Sequence, residues 1–166
     1  MTRTTNQAER GYTILELLVV LGMMAIVAAF AWPRMTELLP RTELTATTNT
    51  LVADIRWARQ KARAQGRVLV IRFDPNGRLY TMTIGGETGS QRAVPLPSTL
   101  SFGTPEDPGS DGITFRDNTI RFSPRPGLQN SFGSVSLRTP SGQARKITVS
   151  IAGYSSLAAW DGVQWR

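Results

Sequence analysis

With 166 residues, 19 Lys+Arg against 12 Asp+Glu, and neither cysteine nor histidine, the chain has room for one domain plus an N-terminal targeting or anchoring segment. It cannot build a disulfide framework, a thiolate nucleophile, a zinc site of the usual kind or His-based acid/base catalysis. The formal charge of +7, most of it arginine, suits anionic partners such as nucleic acid, phospholipid or acidic protein, and equally suits a soluble surface from a GC-rich coding bias.

The first element is the apolar run at residues 12–32, whose 21 residues reach roughly 30 Å as a helix, the thickness of a bilayer's hydrocarbon layer. A cleaved secretory signal competes with a span here, because Arg3 and Arg10 make a basic start and Ala29-Phe30-Ala31 has a small-x-small pattern. Two features oppose it. Glu16 places a charge at the start of the apolar stretch, and the run exceeds the roughly 7–15 residues of a signal's apolar region. A buried core helix fits poorly with so long a run at this position. Charge does not set the orientation, since Arg3 and Arg10 on one side face Arg34 and Arg41 on the other.

Arg10-Gly11 followed by Tyr-Thr-Ile-Leu-Glu and an apolar helix resembles the class III signal of type IV pilins and pseudopilins. The resemblance implies cutting by a prepilin peptidase between Gly11 and Tyr12, methylation of the new N-terminus, and assembly through Glu16, five residues into the mature chain. Tyr12 stands where the family usually has phenylalanine and keeps an aromatic ring. Pro33 falls where the family's helix often carries a kinking proline. The residues support the match on their own chemistry: cleavage would expose an α-amine at Tyr12, one helical turn from Glu16 on the same face. An unpaired carboxylate in hydrocarbon is costly, and an ammonium is its natural partner. The resemblance places that ammonium on a neighbouring subunit; the alternative is a glutamate that snorkels to the interface.

Between 33 and 66, Leu44, Leu51, Ile55, Ala58 and Ala62 recur at spacings of 7, 4, 3 and 4, an amphipathic helix with one face for a sheet. Arg56, Arg59, Lys61 and Arg63 occupy its other face and read as solvated, and Gly66 is a stop signal. Pro33 and Pro40 are expected to bend or break the helix into two parts.

Beyond Gly66, short β-branched runs predict strands. "VLVIRF" (68–73) and "RLYTMTI" (78–84) flank "DPNG" (74–77), a hairpin with an Asn-Gly turn. Further strands are expected at 92–96, 100–102, 113–115, 119–123, 134–139 and 146–151, with a turn at "PSGQ" (140–143) between the last two and an exposed loop at 103–112. The architecture is α+β: a long N-terminal helix, half transmembrane and half amphipathic, packed on an antiparallel β-sheet head. "LVADIRWARQKARAQGRVLVIRF", "IRFSPRPG" and "RKITVSIAG" are similar to the corresponding regions of GspH/FimT-type minor pseudopilins. The organisation is therefore a leader at 1–11, a transmembrane helix at 12–32, a stalk helix at 33–66 and a β-rich head at 67–166.

No constellation for catalysis is present, no cofactor is called for, and "GGETGSQ" (85–91) has neither phosphate-loop nor dinucleotide spacing, so it reads as a hairpin end. FimT-like relatives serve DNA uptake through a Gly-Arg-x-Arg motif. Here that place holds "AGYSSLAAW" (152–160), with Tyr154 after the glycine, which disfavours nucleic acid as a partner. Arg138, Arg145 and Lys146 are the candidate contacts for an anionic partner, against solvated strand-edge charge as the plain alternative. Trp160 and Trp165 flank an Asp-Gly turn, to cover the sheet or meet a neighbouring subunit. The resemblance implies a non-enzymatic minor pseudopilin of a type II secretion system, anchored by one pass in the bacterial inner membrane with its head in the periplasm and partnered by other pseudopilins and the prepilin peptidase. A FimT-like minor pilin of a type IV pilus, and an anchored or secreted binding protein, are the alternatives.

Overall fold

The computed structural model describes residues 12–85, 91–107, 109–125 and 131–166, and the side chains within these apart from 31–38. The expected leader with Gly11, most of the "GGETGSQ" segment and the end of "IRFSPRPG" lie outside the described residues. The chain divides into two compact units, 1–38 and 39–166.

A single helix, α1, is assigned from Ile14 to Gln65, 52 residues. Its start is a capping arrangement, Thr13-Ile-Leu-Glu16, in which the Thr13 hydroxyl accepts from the Glu16 amide at 3.2 Å and the Thr13 carbonyl accepts from Leu17 N at 3.1 Å. The first satisfies an amide that a helix start leaves without a partner, and the second is the first bond of the helical ladder. In the first unit the described apolar side chains, among them Leu15, Leu18, Met23, Ile26 and Phe30, are exposed. Those side chains run from Tyr12 to Phe30, and among the described residues no helix is long and apolar enough to cross a membrane. The break expected at Pro33 and Pro40 is absent from the helix assignment. Each proline forfeits its own bond to the carbonyl four residues back, and the ladder on either side persists.

In the second unit α1 buries Leu44, Thr48, Leu51, Val52, Ile55, Ala58 and Ala62. The five apolar positions expected from spacing are all there. Thr48 fills the gap in that series, and its hydroxyl donates to the Leu44 carbonyl at 2.5 Å, so it is buried without an orphaned donor. Gly66, at φ +64°, stops the helix.

Eight strands follow: β1 (Leu69–Asp74), β2 (Leu79–Ile84), β3 (Gln91–Pro95), β4 (Ser101–Phe102), β5 (Thr119–Phe122), β6 (Gly133–Arg138), β7 (Ala144–Val149) and β8 (Ser155–Ala159). They form two antiparallel four-stranded sheets, β3-β2-β1-β5 and β4-β6-β7-β8. Alternation along β1 sends Leu69, Ile71 and Phe73 inward and Val70 and Arg72 outward. The core joins the helix stripe to Tyr80, Met82, Ile120 and Phe122 of the first sheet and to Phe102, Val135, Leu137, Ile147 and Val149 of the second. Phe73 ties the sheets together, with ring centroids 5.8 Å from Phe102 and 6.0 Å from Phe115.

Three local expectations are corrected. The first hairpin pairs Asp74 with Leu79, so its four-residue loop is 75–78, one residue later than the expected 74–77. Asp74 Oδ1 accepts from Gly77 N at 2.9 Å, and Arg78, at φ 52°, takes the left-handed position. The Arg78 guanidinium secures it by donating to the carbonyls of Pro97, Ser98 and Leu100 at 2.9, 2.6 and 2.6 Å. Residues 113–115 form no strand; Ile113 makes an isolated bridge to Val135. The segment after Gly153, read as a motif site and a tail, is strand β8.

The loop at 103–112 has an exposed tip and pinned ends: Gly103 N donates to the Ser136 carbonyl at 3.1 Å, and Ser136 N donates to the Gly112 carbonyl at 2.9 Å. A Cβ on Gly112 would lie 2.7 Å from the Gly103 carbonyl carbon, so this crossing requires glycine.

Candidate functional site

The residues expected to direct processing and assembly sit at the start of α1. Tyr12 is 88% exposed and precedes the Thr13 cap, and Glu16 lies in the first helical turn with its side chain exposed. An acid in that turn faces the positive end of the helix dipole, worth about 0.3–1 kcal/mol at an exposed site. Gly11 lies outside the described residues. Tyr12 and Glu16 are thus an exposed pair of positions one turn apart, at the head of a helix whose neighbouring apolar side chains are themselves exposed.

The three candidate anion contacts do not share one surface. In β6 and β7 the register pairs Arg138 with Ala144 and Leu137 with Arg145. Paired residues share a face and successive residues alternate, so Arg138 and Lys146 lie on one face and Arg145 on the other, beside the core residues Leu137 and Ile147. Arg138 packs over Gly103 and donates from Nη1 to the Thr104 carbonyl at 3.4 Å. Lys146 places its ammonium 4.0 Å from the centre of the Trp165 ring.

The tail closes on itself beside that cation. Trp160 and Trp165 form a bridge, with ring centroids 5.3 Å apart in a T-shaped pair. Asp161 Oδ1 accepts from Val163 N at 2.9 Å and Gln164 N at 2.8 Å, and Asp161 pairs with Arg166 at 2.7 Å. The amides of Gln164 and Val163 hold the Asp161 carboxyl below its ordinary range.

The fold gathers two further sets of arginines, one drawn from separate strands and one from the stripe on α1. On the outer face of the first sheet, the register aligns Val70 with Thr83 and Arg121, and Arg72 with Thr81 and Thr119. Of these, Val70, Arg72, Thr81, Thr83 and Arg121 line, with Arg67 and Gln91, a groove of about 730 Å³. The second hollow, about 400 Å³, is lined by Arg56, Arg59, Gln60 and Arg63 of α1 and by Gly153, Tyr154 and Ser155 at the start of β8. Arg59 lies over the Tyr154 ring at 4.1 Å, Arg56 Nε donates to Ser155 Oγ at 3.4 Å, and a Cβ on Gly153 would come 3.1 Å from Arg59 Nε. The ion pairs among the described residues, Arg116–Asp117 and Arg166–Asp161, involve neither set. The i, i+3, i+7 spacing of Arg56, Arg59 and Arg63 was readable as a stripe. Its convergence with Tyr154 was not, because that rests on a strand that local preference does not announce.

Compared with known families, residues 6–32 match the prokaryotic N-terminal methylation motif. Residues 47–153 match the family described as type II transport protein GspH. The first match contains Gly11, Tyr12 and Glu16, and the second runs from the helix stripe to the glycine beside Arg59. No curated protein and no solved structure matches the chain.

Proposed function

The chain belongs to the family of type II transport protein GspH and is a type IV pilin-like pseudopilin with an N-terminal methylation motif, and from that premise we propose that it is a minor pseudopilin of a type II secretion system. Prepilin peptidase cuts after Gly11 and the new N-terminus at Tyr12 is methylated. The apolar segment 12–32 anchors the chain in the inner membrane by one pass, and the head faces the periplasm. Packing of N-terminal helices with those of other pseudopilins builds a short pseudopilus that supports protein export.

The observation that carries this reading is Glu16. It is an exposed carboxylate in the first turn of a helix whose described apolar residues around it are also exposed. Burial of those residues in hydrocarbon or against neighbouring helices leaves Glu16 needing a cation, and the processed terminus at Tyr12 of an adjacent subunit supplies one. N-terminal sequencing and mass analysis of membrane-extracted protein test it. A methylated Tyr12 is expected, and a start at Trp32 would replace the reading with ordinary signal-peptide cleavage.

A second reading, a FimT-like minor pilin of a type IV pilus acting in pilus biogenesis or DNA uptake, draws on the groove lined by Arg67, Arg72 and Arg121. Phosphate contacts there would give salt-sensitive binding without sequence preference. A gel-shift titration with duplex DNA at two salt concentrations distinguishes the readings: no shift at low salt removes the uptake role.

A further inference from the structure

Resting on the reading that the chain packs among other pseudopilins, we infer that the edge of β8 beside α1 receives an extended acidic segment of a different subunit, added to the sheet as one more strand. β8 is an edge of the sheet β4-β6-β7-β8. Its ladder with β7 is bracketed by Ser150 N donating to the Tyr154 carbonyl and Trp160 N donating to the Ala144 carbonyl, both at 2.9 Å. Amide directions alternate along a strand, so in the register Thr148–Ser156 and Lys146–Ala158 the amides of Ser156 and Ala158 face β7, and those of Ser155, Leu157 and Ala159 face outward. Ala159 is taken by Arg166, with which it exchanges both backbone bonds at 2.6 and 2.9 Å. Ser155 and Leu157 are left with their N–H and C=O groups at the open edge, the template that strand addition uses.

The side chains at this edge select what the added strand carries. Ser155 and Leu157 pair with Val149 and Ile147 and so share their face of the sheet. Ile147 is fully buried in the core whereas Leu157 is 42% exposed, so the cover over that face stops short of β8. Beyond it stands α1: Arg56 Nε donates to Ser155 Oγ at 3.4 Å, and Arg56, Arg59 and Arg63 line the hollow that borders Ser155. A side chain of the added strand opposite Ser155 lies about 5 Å from it on this same face, beside the arginines. Arg59 is already oriented by the Tyr154 ring at 4.1 Å, and its Nε is buried without a hydrogen-bond partner. No acid lines the hollow, and no ion pair among the described residues reaches the three arginines. Carboxylates answer that deficit, because a guanidinium binds them through paired, charge-assisted bonds, and an apolar residue suits the position opposite Leu157.

The chain does not supply such a segment to itself. Among the described residues its strands hold one acid, Asp74 at the end of β1, and that carboxylate accepts from Gly77 N at 2.9 Å in the hairpin loop. A second copy therefore brings no acidic strand to the arginines, and the contact does not repeat from copy to copy. A minor subunit that takes a neighbour's strand at one edge gains instead a choice of neighbour. Backbone bonds give the cohesion, and the arginines reject a segment with basic residues at the same positions.

Because the chain has no cysteine, Gln60→Cys, at a position that lines the hollow, takes a benzophenone maleimide at a single site. The labelled full chain in detergent is mixed with the detergent-extracted pseudopilins of its own system and irradiated, and the cross-linked peptides are identified by mass spectrometry. The expected product joins it to a different pseudopilin through a segment with carboxylates at alternate positions, and its yield falls at least about tenfold when salt rises from about 0.05 M to 0.5 M. Leu157→Pro removes only an outward N–H and keeps the ladder to β7, yet should cut the yield by about tenfold or more. Arg56→Glu/Arg63→Glu should cut it likewise, and changing the identified carboxylates to lysine should restore it with that variant, which excludes misfolding. Absence of the cross-link, a cross-link to a second copy, or one that survives Leu157→Pro or the charge reversal overturns the inference, as does a gel shift of duplex DNA that depends on Arg56 and Arg63. Methylated Tyr12 without the cross-link defeats the strand contact alone, whereas a start at Trp32 defeats the pseudopilin reading beneath it.

Discussion

Tyr80 gives the sharpest test of how α1 is held to the first sheet. Its side chain is 2% exposed, and its hydroxyl donates to Asp54 Oδ2 of the helix at 2.6 Å. Burial first, then the hydrogen bond to Asp54 and that residue's charge, push the phenol well above the ordinary tyrosine value of 10.0. Below about pH 10 both folded and unfolded chains keep the proton, so the contribution is complete. Above it only the unfolded chain releases the proton, so stability falls by up to about 1.4 kcal/mol per pH unit until the folded phenol also titrates. Tyr80→Phe removes a hydrogen bond to a charged group, a loss of about 1.5–3 kcal/mol near neutral pH. It also removes this proton from the alkaline balance. The gap between parent and variant should accordingly narrow by about 1.4 kcal/mol by pH 11. Urea unfolding of the full chain in detergent, followed by tryptophan fluorescence from pH 8 to 11.5, measures it. The ionisable groups other than Tyr80 are common to both proteins and cancel in the difference. A gap that stays constant across that range would refute the buried Tyr80–Asp54 pair.

Three other substitutions probe separate features. Gly112→Ala meets the Gly103 backbone at 2.7 Å and a φ of +67°, while Gly142→Ala faces only a φ of +85° in open space. The first should cost about 2–4 kcal/mol and the second about 1 in urea unfolding. Arg78→Ala deletes three donations to carbonyls and should cost about 2–4 kcal/mol, whereas Arg78→Gly, which relieves the φ of 52°, should be milder by about 1 kcal/mol. Since the Asp161 carboxyl is held below its ordinary range, its turn is secure above about pH 4 and loosens as pH falls through the lowered value. The Trp165 indole resonance should report that transition, and Asp161→Ala should abolish its pH dependence.

Periodicity found the helix stripe because Leu44, Leu51, Ile55, Ala58 and Ala62 are all buried on one face. Alternation found β1 and β2 for the same reason. What escaped was set by tertiary partners. Ser155–Ala159 is poor in β-branched residues, and it becomes a strand by pairing with β7 in five registered positions. The Asn-Gly signal found the first hairpin, while its one-residue shift was set by the Asp74–Gly77 bond and by the carbonyls at 97–100, about twenty residues away, that hold Arg78. The candidate contacts Arg138, Arg145 and Lys146 are neighbours in the hairpin, yet strand alternation divides them between faces. The arginines that do converge, at 56, 59 and 63, were visible as a helix stripe but lacked their reason until Gly153 and Tyr154 were placed beside them.

The start of α1 also changes how Glu16 is understood. The sequence poses it as a carboxylate out of place among apolar residues. The fold gives it a local reason, since Thr13 caps its amide and the helix N-terminus carries a partial positive charge of roughly half a unit. That field acts in opposite senses on the two groups that the proposed processing creates. It favours the Glu16 carboxylate and disfavours an ammonium at Tyr12. A processed terminus thus sits in an unfavourable field in its own chain and gains most where a carboxylate offsets it. A neighbour's Glu16, stabilised by that neighbour's helix, does so without disturbing its own Thr13 cap. Exchange of Glu16 for glutamine keeps the cap and the helix start but removes the offsetting charge. Under this electrostatic account such a variant should fold and be processed normally, yet fail to recruit into the filament.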